Sequence, residues 1–434
     1  MTTTGTRKTP ASSARASWSS RRLRAAFRLR VCVVGSGGRE HALAVALART
    51  AEVVVAPGNP GIPGSTSHAP AAIDADLYVI GPETPLVAGL ADELRAAGKL
   101  VFGPGADGAH LEGSKAWMKE VLQEAGVPTA AYRAFTDAEP ALAFLRTLPG
   151  PWVVKTDGLA AGKGVLVTDS FEAAAADVVT KLSGAAFGDA GRRVVIEEWL
   201  DGPELSLLCV CDGRRAVPLA PAQDFKRLSD GDAGPNTGGM GACSPVPFVD
   251  PGVVAEVLER AVQPTLAALT ARGIDYRGVL YAGLMLTADG PKIVEYNVRF
   301  GDPEAQVVFP RYTGDLAALL AEAAAGHMET DPQFDQRAAV TVVLATEGYP
   351  LDPRTGDVIE GLDKADALPD VTVFRAGVAS EGDQWITAGG RVLNVTGLGD
   401  DVAAARATAY DAVSAISWPG MHYRTDIASV RFGS

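Results

Sequence analysis

Leu29-Arg30-Val31-Cys32-Val33-Val34-Gly35, followed at once by Ser36-Gly37-Gly38-Arg39-Glu40-His41, is the stretch from which the fold is read. A short apolar run closed by glycine is a buried strand, and Gly37-Gly38 opens a helix predicted over 39–49. Val53-Val54-Val55-Ala56 and Leu77-Tyr78-Val79-Ile80 are the next strands. A helix over 87–97 and a strand over 100–102 follow. This βαβ alternation means a parallel sheet covered by helices. The crossover over 57–76 is too rich in Pro and Gly to hold a good helix, although a parallel crossover usually carries one. Asp107 is expected to cap a long helix ending at Gly126, with Pro128 beyond it.

Working outward, 434 residues are too many for one ordinary core and suggest roughly two to four domains. The chain is 47% hydrophobic and 21% charged, which suits a globular protein and excludes global disorder. A formal charge of −13 argues against general nucleic-acid binding, which rests on Lys and Arg neutralising phosphates. No apolar run is long enough to span a bilayer. Cys32, Cys209, Cys211 and Cys243 form no C-x-x-C pair, so buried thiols in a reducing compartment, the cytoplasm, are expected. The histidines are scattered without metal-ligand spacing. Residues 1–28 contain no acid and are rich in Ser, Thr, Ala and Arg. They suit a disordered tail, a transit peptide or a start placed too far upstream, and the tail is preferred.

The remaining chain divides into four units: 29–128 with the parallel sheet, 129–192 as a small αβ module, 193–332 as a larger mixed region with a helix over 251–271, and a β-rich unit over 333–434. The fold class is therefore α/β and α+β, a Rossmann-like N-terminal domain followed by mixed units.

Four segments carry chemistry. The 35–41 turn joins a strand to a helix, where free backbone N–H groups and the helix dipole suit a phosphate; a simple tight turn fits equally, and Arg39 favours phosphate. Glu40 in place of a third glycine sets it apart from the dinucleotide fingerprint and from a nicotinamide-dependent dehydrogenase. Asp157-Gly158-Leu159-Ala160-Ala161-Gly162-Lys163-Gly164 is a glycine-rich hairpin able to fold over a triphosphate. It is not a P-loop, because only three residues separate its glycines. Ile293-Val294-Glu295-Tyr296-Asn297-Val298-Arg299-Phe300 alternates strictly, with Val294, Tyr296 and Val298 on one face and Glu295, Asn297 and Arg299 on the other. That polar face suits either solvent or a cation with its phosphate, since Glu295 and Asn297 offer oxygens at i and i+2 and Arg299 can meet a phosphate. The strand end at Glu197-Glu198-Trp199-Leu200, with Glu204 beyond, can present backbone groups to an adenine edge and a carboxylate to a ribose.

Together these segments resemble the ATP-grasp superfamily and, within it, the phosphoribosylamine–glycine ligase family. The segments are 35–43, Gly81-Pro82-Glu83, Leu111-Glu112-Gly113-Ser114-Lys115, 157–165, 235–241 and 299–304, in the family's order. The resemblance implies an ATP-grasp fold with 129–192 as the lid and 193–332 as the central domain. It implies ATP and Mg²⁺ or Mn²⁺ as cofactors, with Lys115 and Lys155 on the phosphates, and Gly162 and Lys163 in the lid. Glu197, Glu198 and Leu200 would form the adenine hinge, and Glu204 would hold the ribose. Glu295 and Asn297 would hold the metal, and Arg299 and Lys163 would act in catalysis. Phosphoribosylamine would be bound by Gly37, Gly38, Arg39, Glu40, His41, Pro82, Glu83, Asp302 and Pro303. Glycine would lie near Asn236, Thr237, Gly238, Gly239 and Asp224.

The implied reaction joins glycine to 5-phosphoribosylamine through a glycyl phosphate, giving glycinamide ribonucleotide, ADP and phosphate, a step of de novo purine biosynthesis. A different ATP-grasp carboxylate–amine ligase is the alternative. The implied partners are small molecules, the implied state a monomer. Two departures stand out: Tyr281-Ala282-Gly283-Leu284-Met285-Leu286 carries no further metal-binding acid, and the 57–76 crossover is short. A carboxylate waiting for a cation gains little without it, so Glu295→Gln is expected to leave the melting temperature of the ligand-free protein level or raised. A chain beginning at Arg28 should match the full chain in melting temperature and turnover; a large loss in either would show that residues 1–27 pack on the body.

Overall fold

The computed structural model describes residues 28–159, 164–184 and 192–429, so the 1–28 tail, apart from its last residue, lies outside the described residues. The opening run forms the strand Arg30–Gly35 inside a four-stranded parallel sheet, between Glu52–Pro57 and Leu77–Ile80, with Val101–Phe102 at the far edge. Val31, Cys32 and Val33 are fully buried, as a parallel sheet covered on both faces requires. Helix Gly38–Leu47 follows directly. The crossover after Glu52–Pro57 holds one short 3₁₀ turn, Pro70–Ala72. Its polar groups go elsewhere: the Asn59 amide donates to Ser36 O at 2.8 Å and to Ala376 O at 3.1 Å. The crossover thus braces the glycine turn against the C-terminal segment.

Two expected helices are broken. The 87–97 helix is replaced by Glu83–Val87 and Leu90–Ala96, separated by Gly89 at φ 88°. That left-handed value ends one helix cheaply only because the residue is glycine. Asp107 does not cap the next helix. Gly105 takes that position, and Asp107 Oδ1 accepts instead from Gly108 N. The helix then breaks at Ser114, whose extended backbone separates Ala106–Gly113 from Lys115–Glu124. Ser114 Oγ caps the second helix by accepting from Trp117 N at 3.1 Å. It also donates to the Asp157 carboxylate at 3.0 Å. The break places Lys115 at the first turn of a new helix, against the 157–158 turn.

Three larger antiparallel sheets follow, besides the two-stranded pairs Arg227–Ser229 with Ala233–Asn236 and Val378–Glu381 with Gln384–Thr387. Tyr132–Phe135, Val194–Glu198, Trp152–Thr156 and Val165–Thr168 form one, in that order. Ala141, Leu145, Val154, Ala174, Val178, Val194 and Ile196 make its own small core. Ala216–Pro218, Glu204–Asp212, Arg277–Thr287 and Gly290–Asn297 form the second. Cys209 and Cys211 are buried and unpaired there. This sheet shares two apolar clusters with the parallel sheet, one through Val31, Leu208 and Phe309, the other through Cys32, Tyr78 and Leu207. The helix over 251–271 runs through, but with a π turn at Leu258–Val262 just before Pro264, whose ring carries no N–H for the ladder.

The third of these antiparallel sheets is assembled across long separations. Ala338–Ala345, Arg391–Gly399 and Val371–Arg375 are joined by Gly241–Ser244 and Gln223–Asp224 from much earlier in the chain. The segment between those two early strands is thereby pinned to the C-terminal body. Among the described residues, no helix is long and apolar enough to cross a membrane.

Ser114→Ala should lower stability by about 1 kcal/mol, the usual worth of an N-cap. Chemical denaturation measures it; an unchanged midpoint would mean that Ser114 does not cap.

Candidate active site

The strand Gly290–Asn297 is less regular than its sequence suggests. Gly283 faces Glu295 and Leu284 faces Ile293, so Val294 is a bulge. Ile293, Tyr296 and Val298 are therefore the buried side chains, while Val294 is only half-buried. The bulge corrects the strict alternation and has a use. Val294 O, freed from the ladder, accepts from Lys155 Nζ at 3.1 Å.

Lys155 joins the Trp152–Thr156 strand to this bulge. Its ammonium also meets Glu197 at 3.1 Å, and Glu197 meets Lys119 at the same distance. All three side chains are buried. Burial pulls Lys119 down to about 8, with Glu197 opposing. Glu197 Oε1 is buried and has no partner among the described residues. The backbone of Glu197 is committed to its sheet, opposite Tyr132 and Val153, so only this oxygen is left to offer. Glu198 Oε1 accepts from Ala131 N at 3.0 Å. Leu200 is buried and Glu204 opens the next strand. Lys115 Nζ donates to Gly158 O at 3.0 Å; burial holds it below the ordinary lysine range while Glu295 opposes. Gly162 and Lys163 lie outside the described residues.

Glu295 is the centre of the arrangement. Burial works to raise its carboxyl, but Lys226, Lys155, Lys115 and Arg299 hold it below the usual range. These cations come from four separate segments. Arg299 is not a bare cation. It reaches Glu112 at 3.0 Å, Glu83 at 3.4 Å and Asn297 Oδ1 at 3.2 Å. The metal pair and the arginine thus do lie together, with Arg299 orienting Asn297. The cations acting on this carboxylate argue in the opposite direction from the sequence expectation for Glu295→Gln: losing the charge removes their attraction, so the ligand-free protein is now expected to melt lower. Lys226 in turn pairs with Glu204, and with Asp224 at 3.6 Å. Burial raises Asp224 well above the carboxylate range, aided by Glu304, Glu204 and Glu295 and opposed by Lys226. This side of the site is rich in acid and suits an arriving cation.

At the glycine turn, Gly37 N donates to Glu40 Oε2 at 2.6 Å and Arg39 Nε to Glu40 Oε1 at 2.6 Å. Any Cβ on Gly35 or Gly81 would strike the Glu40 side chain. Glu40, expected as a substrate contact, is therefore also a brace inside the turn. His41 likewise has partners within the protein. Its Nδ1 accepts from Arg375 N at 2.8 Å, and its ring packs edge-on to Phe374. It ties the first helix to the C-terminal sheet. Gly38 lies against Asn394 and Gln306, leaving no room for a side chain. Pro82 precedes the short helix that carries Glu83, whose carboxyl burial would raise but Arg299 and Arg39 bring lower. Asp302 accepts from Gln306 Nε2 at 2.8 Å and pairs with Arg391 at 3.3 Å. Asn236 ends the strand Ala233–Asn236. Thr237 Oγ1 donates to Lys226 O at 2.8 Å and accepts from Gly239 N at 3.0 Å, and Gly239 abuts Pro303.

Five residues here escaped the sequence reading as site members: Glu112, Lys119, Lys226, Glu304 and Arg391. Glu112 and Glu304 stood inside quoted motifs and could have been found there. Glu304 is buried and accepts from the hydroxyls of Tyr281 and Ser206. Lys119 sits four residues after Lys115, one turn along the same helix. Lys226 and Arg391 carry no local signal.

This combination defines the class: an ATP-grasp enzyme, in which an antiparallel module and a larger sheet face each other across lysines and a Glu-x-Asn strand. Family models for phosphoribosylglycinamide synthetase match its N domain over residues 29–112, its ATP-grasp (A) domain over 113–305 and its C domain over 339–430. The phosphoribosylamine–glycine ligase of Brucella melitensis biotype 1 is 46% identical over 416 residues, covering 92% of this chain and 97% of that protein. That of Streptomyces coelicolor is 48% identical over 426 residues, covering 94% and 100%. The crystal structure of the Thermotoga maritima phosphoribosylamine–glycine ligase superposes with a TM-score of 0.82 at 36% identity, covering 92% of this chain and all of that one. The chain belongs to the phosphoribosylamine–glycine ligase family, and it is a C–N bond-forming ligase of de novo purine biosynthesis. Membership implies use of ATP and of a divalent metal ion.

Burial, with the Arg375 charge, pushes His41 down to about 4. An unfolded histidine titrates near 6.5, so between these values the unfolded chain binds a proton that the folded chain refuses. Stability should therefore fall as pH drops from about 6.5 towards 4, by up to roughly 3 kcal/mol at the acid end. His41→Asn keeps an acceptor but does not titrate. Melting curves across this range should drop less steeply for the variant, and parallel curves would refute the assignment.

Proposed function

We propose that the chain ligates glycine to 5-phosphoribosylamine through glycyl phosphate, with the carboxylate of Glu295 and its surrounding cations as the point where the three substrates meet. The supporting observation is that Lys115, Lys155, Lys226 and Arg299 all act on that one carboxylate. Lys115 and Lys155 would receive the ATP phosphates. The unpartnered Oε1 of Glu197 would accept a hydrogen from the adenine amino group. Glu198 and Leu200 would frame the base, and Glu204 the ribose. Residues 129–192 would form a lid, with Gly162 and Lys163 over the phosphates.

Glu295 and Asn297 fit Mg²⁺, or Mn²⁺, as an ion that arrives with the nucleotide. Among the described residues no three His, Cys, Asp or Glu side chains cluster in metal-binding geometry. Mg²⁺ characteristically takes one or two protein oxygens and completes its shell with phosphates and water. When bound it would offset charge on the transferring phosphoryl group.

Gly37, Gly38, Arg39, Glu40, His41, Pro82, Glu83, Asp302 and Pro303 would bind phosphoribosylamine, with Glu40 also bracing the turn. Asn236, Thr237, Gly238 and Gly239 would receive glycine, and the acid-rich side around Asp224 suits its ammonium. Glycine's carboxylate oxygen attacks the γ-phosphorus and the bond to ADP breaks. The amine nitrogen then attacks the acyl carbon, phosphate leaves and the nitrogen sheds a proton. The protein's share is alignment and charge compensation, and a closed lid would keep water from the acyl phosphate. One chain carries every group named, so a monomer suffices, and its residues fit a cytoplasmic enzyme of small molecules.

Omitting glycine or phosphoribosylamine in turn should abolish ADP release. Glu295→Gln should cut turnover by orders of magnitude and lower the melting temperature of the ligand-free protein. Near-normal Mg²⁺-dependent ADP release by that variant would sink the metal assignment.

A further inference from the structure

Arg391 belongs to the C-terminal sheet, yet its guanidinium lies between two turns that precede that sheet's main strands. Nη1 donates to Gly238 O at 2.6 Å, to Gly239 O at 3.3 Å and to Asp302 O at 2.8 Å. Nη2 pairs with the Asp302 carboxylate at 3.3 Å. The approach leaves no room for side chains. A Cβ on Gly238 would stand 3.0 Å from Arg391 Cζ, and one on Gly239 would stand 2.5 Å from Pro303 Cδ. Tyr349 supports the same place. Its hydroxyl accepts from Gly238 N at 3.0 Å, and Gly390 lies flat against its ring. Tyr349 Oη bonds to the 238 side, and Arg391 bonds to both.

A planar guanidinium presents several donors in a fixed fork, so here one nitrogen meets the carbonyls of both turns while the other meets the Asp302 carboxylate. An ammonium is a point donor and lacks that span. We propose that Arg391 is a positioning residue that locks the 238–239 turn to the Asp302–Pro303 turn, so that the glycine side and the phosphoribosylamine side of the site take shape together. This rests on the reading above, in which those turns serve those two substrates. It makes the two half-sites energetically linked, because whatever orders one turn orders the other through the same side chain. It also gives the C-terminal unit a part in substrate selection while leaving the nucleotide side, built from Lys115, Lys155 and Glu197, untouched.

The test uses Arg391→Ala, Arg391→Lys and Tyr349→Phe in the full chain. In steady-state assays Arg391→Ala should raise KM about tenfold or more for both glycine and phosphoribosylamine, with KM for ATP within about twofold. Arg391→Lys should not restore both. Tyr349→Phe should raise KM for glycine alone. Hydrogen exchange on the ligand-free protein supplies an arm that needs no activity. Arg391→Ala should speed exchange at the amides of Gly238, Gly239 and Asp302 together and leave the strand Ala338–Ala345 unchanged. Faster exchange at one turn only, spread of the effect into that strand, or a rise in a single KM for Arg391→Ala would each overturn the lock. A wild-type chain without glycine- and phosphoribosylamine-dependent ADP release would instead overturn the functional reading, with the exchange arm still deciding whether the lock exists.

Discussion

Every structural choice around this site follows from placing several cations beside one another before any phosphate has arrived. Buried charges of one sign are costly unless each has a counter-charge. The chain answers with a set of carboxylates that match them: Glu197 serves Lys155 and Lys119, Glu204 and Asp224 serve Lys226, Glu83 and Glu112 serve Arg299, and Asp302 serves Arg391. This resolves an apparent conflict between a net charge of −13 and anionic substrates. The acids that make the protein negative overall include those that hold its basic residues in place. An incoming phosphate competes with internal carboxylates rather than filling a bare positive pocket, and a divalent cation can take over the acid it releases.

What could be read from the sequence is what neighbours along the chain decide. The Arg30–Gly35 strand, the following helix and the parallel sheet were visible because burial on both faces leaves an unbroken apolar run. The poor helix potential of the 57–76 crossover was also correctly read. Glu295, Asn297 and Arg299 come together because a strand's period of two fixes their common side. The misses have local causes that patterns do not carry. Ser114 breaks a helix because its hydroxyl caps the next one and meets Asp157 from a distant turn. Val294 bulges because its partner strand skips it. Glu40 and His41 stood in the expected motif, but the pattern did not show that their side chains also engage Gly37, Arg39 and Arg375.

Lys226 and Arg391 mark the harder limit. Each owes its place to the sheet in which Gly241–Ser244 pairs with Ala338–Ala345 across nearly a hundred residues. Nothing near either residue in sequence announces that pairing. Its consequence is chemical: the turn between Gln223–Asp224 and Gly241–Ser244 cannot move independently of the C-terminal body, and Arg391 extends the constraint to Asp302.

The same topology suits the proposed division between a fixed substrate site and a closing cover. The 132–198 sheet has a small apolar core of its own, distinct from the two clusters that fuse the first and central sheets. A body that keeps its own core can shift without exposing its neighbours' apolar surface. The groups expected to align two small substrates sit instead where three sheets share cores and ion pairs. A ligase that must bring a carboxylate and an amine within bonding distance needs its substrate turns fixed to about half an ångström, whereas the cover that excludes water needs only to close. The long-range pairing is costly to form during folding, but it places the rigid requirement on the part of the molecule best able to meet it.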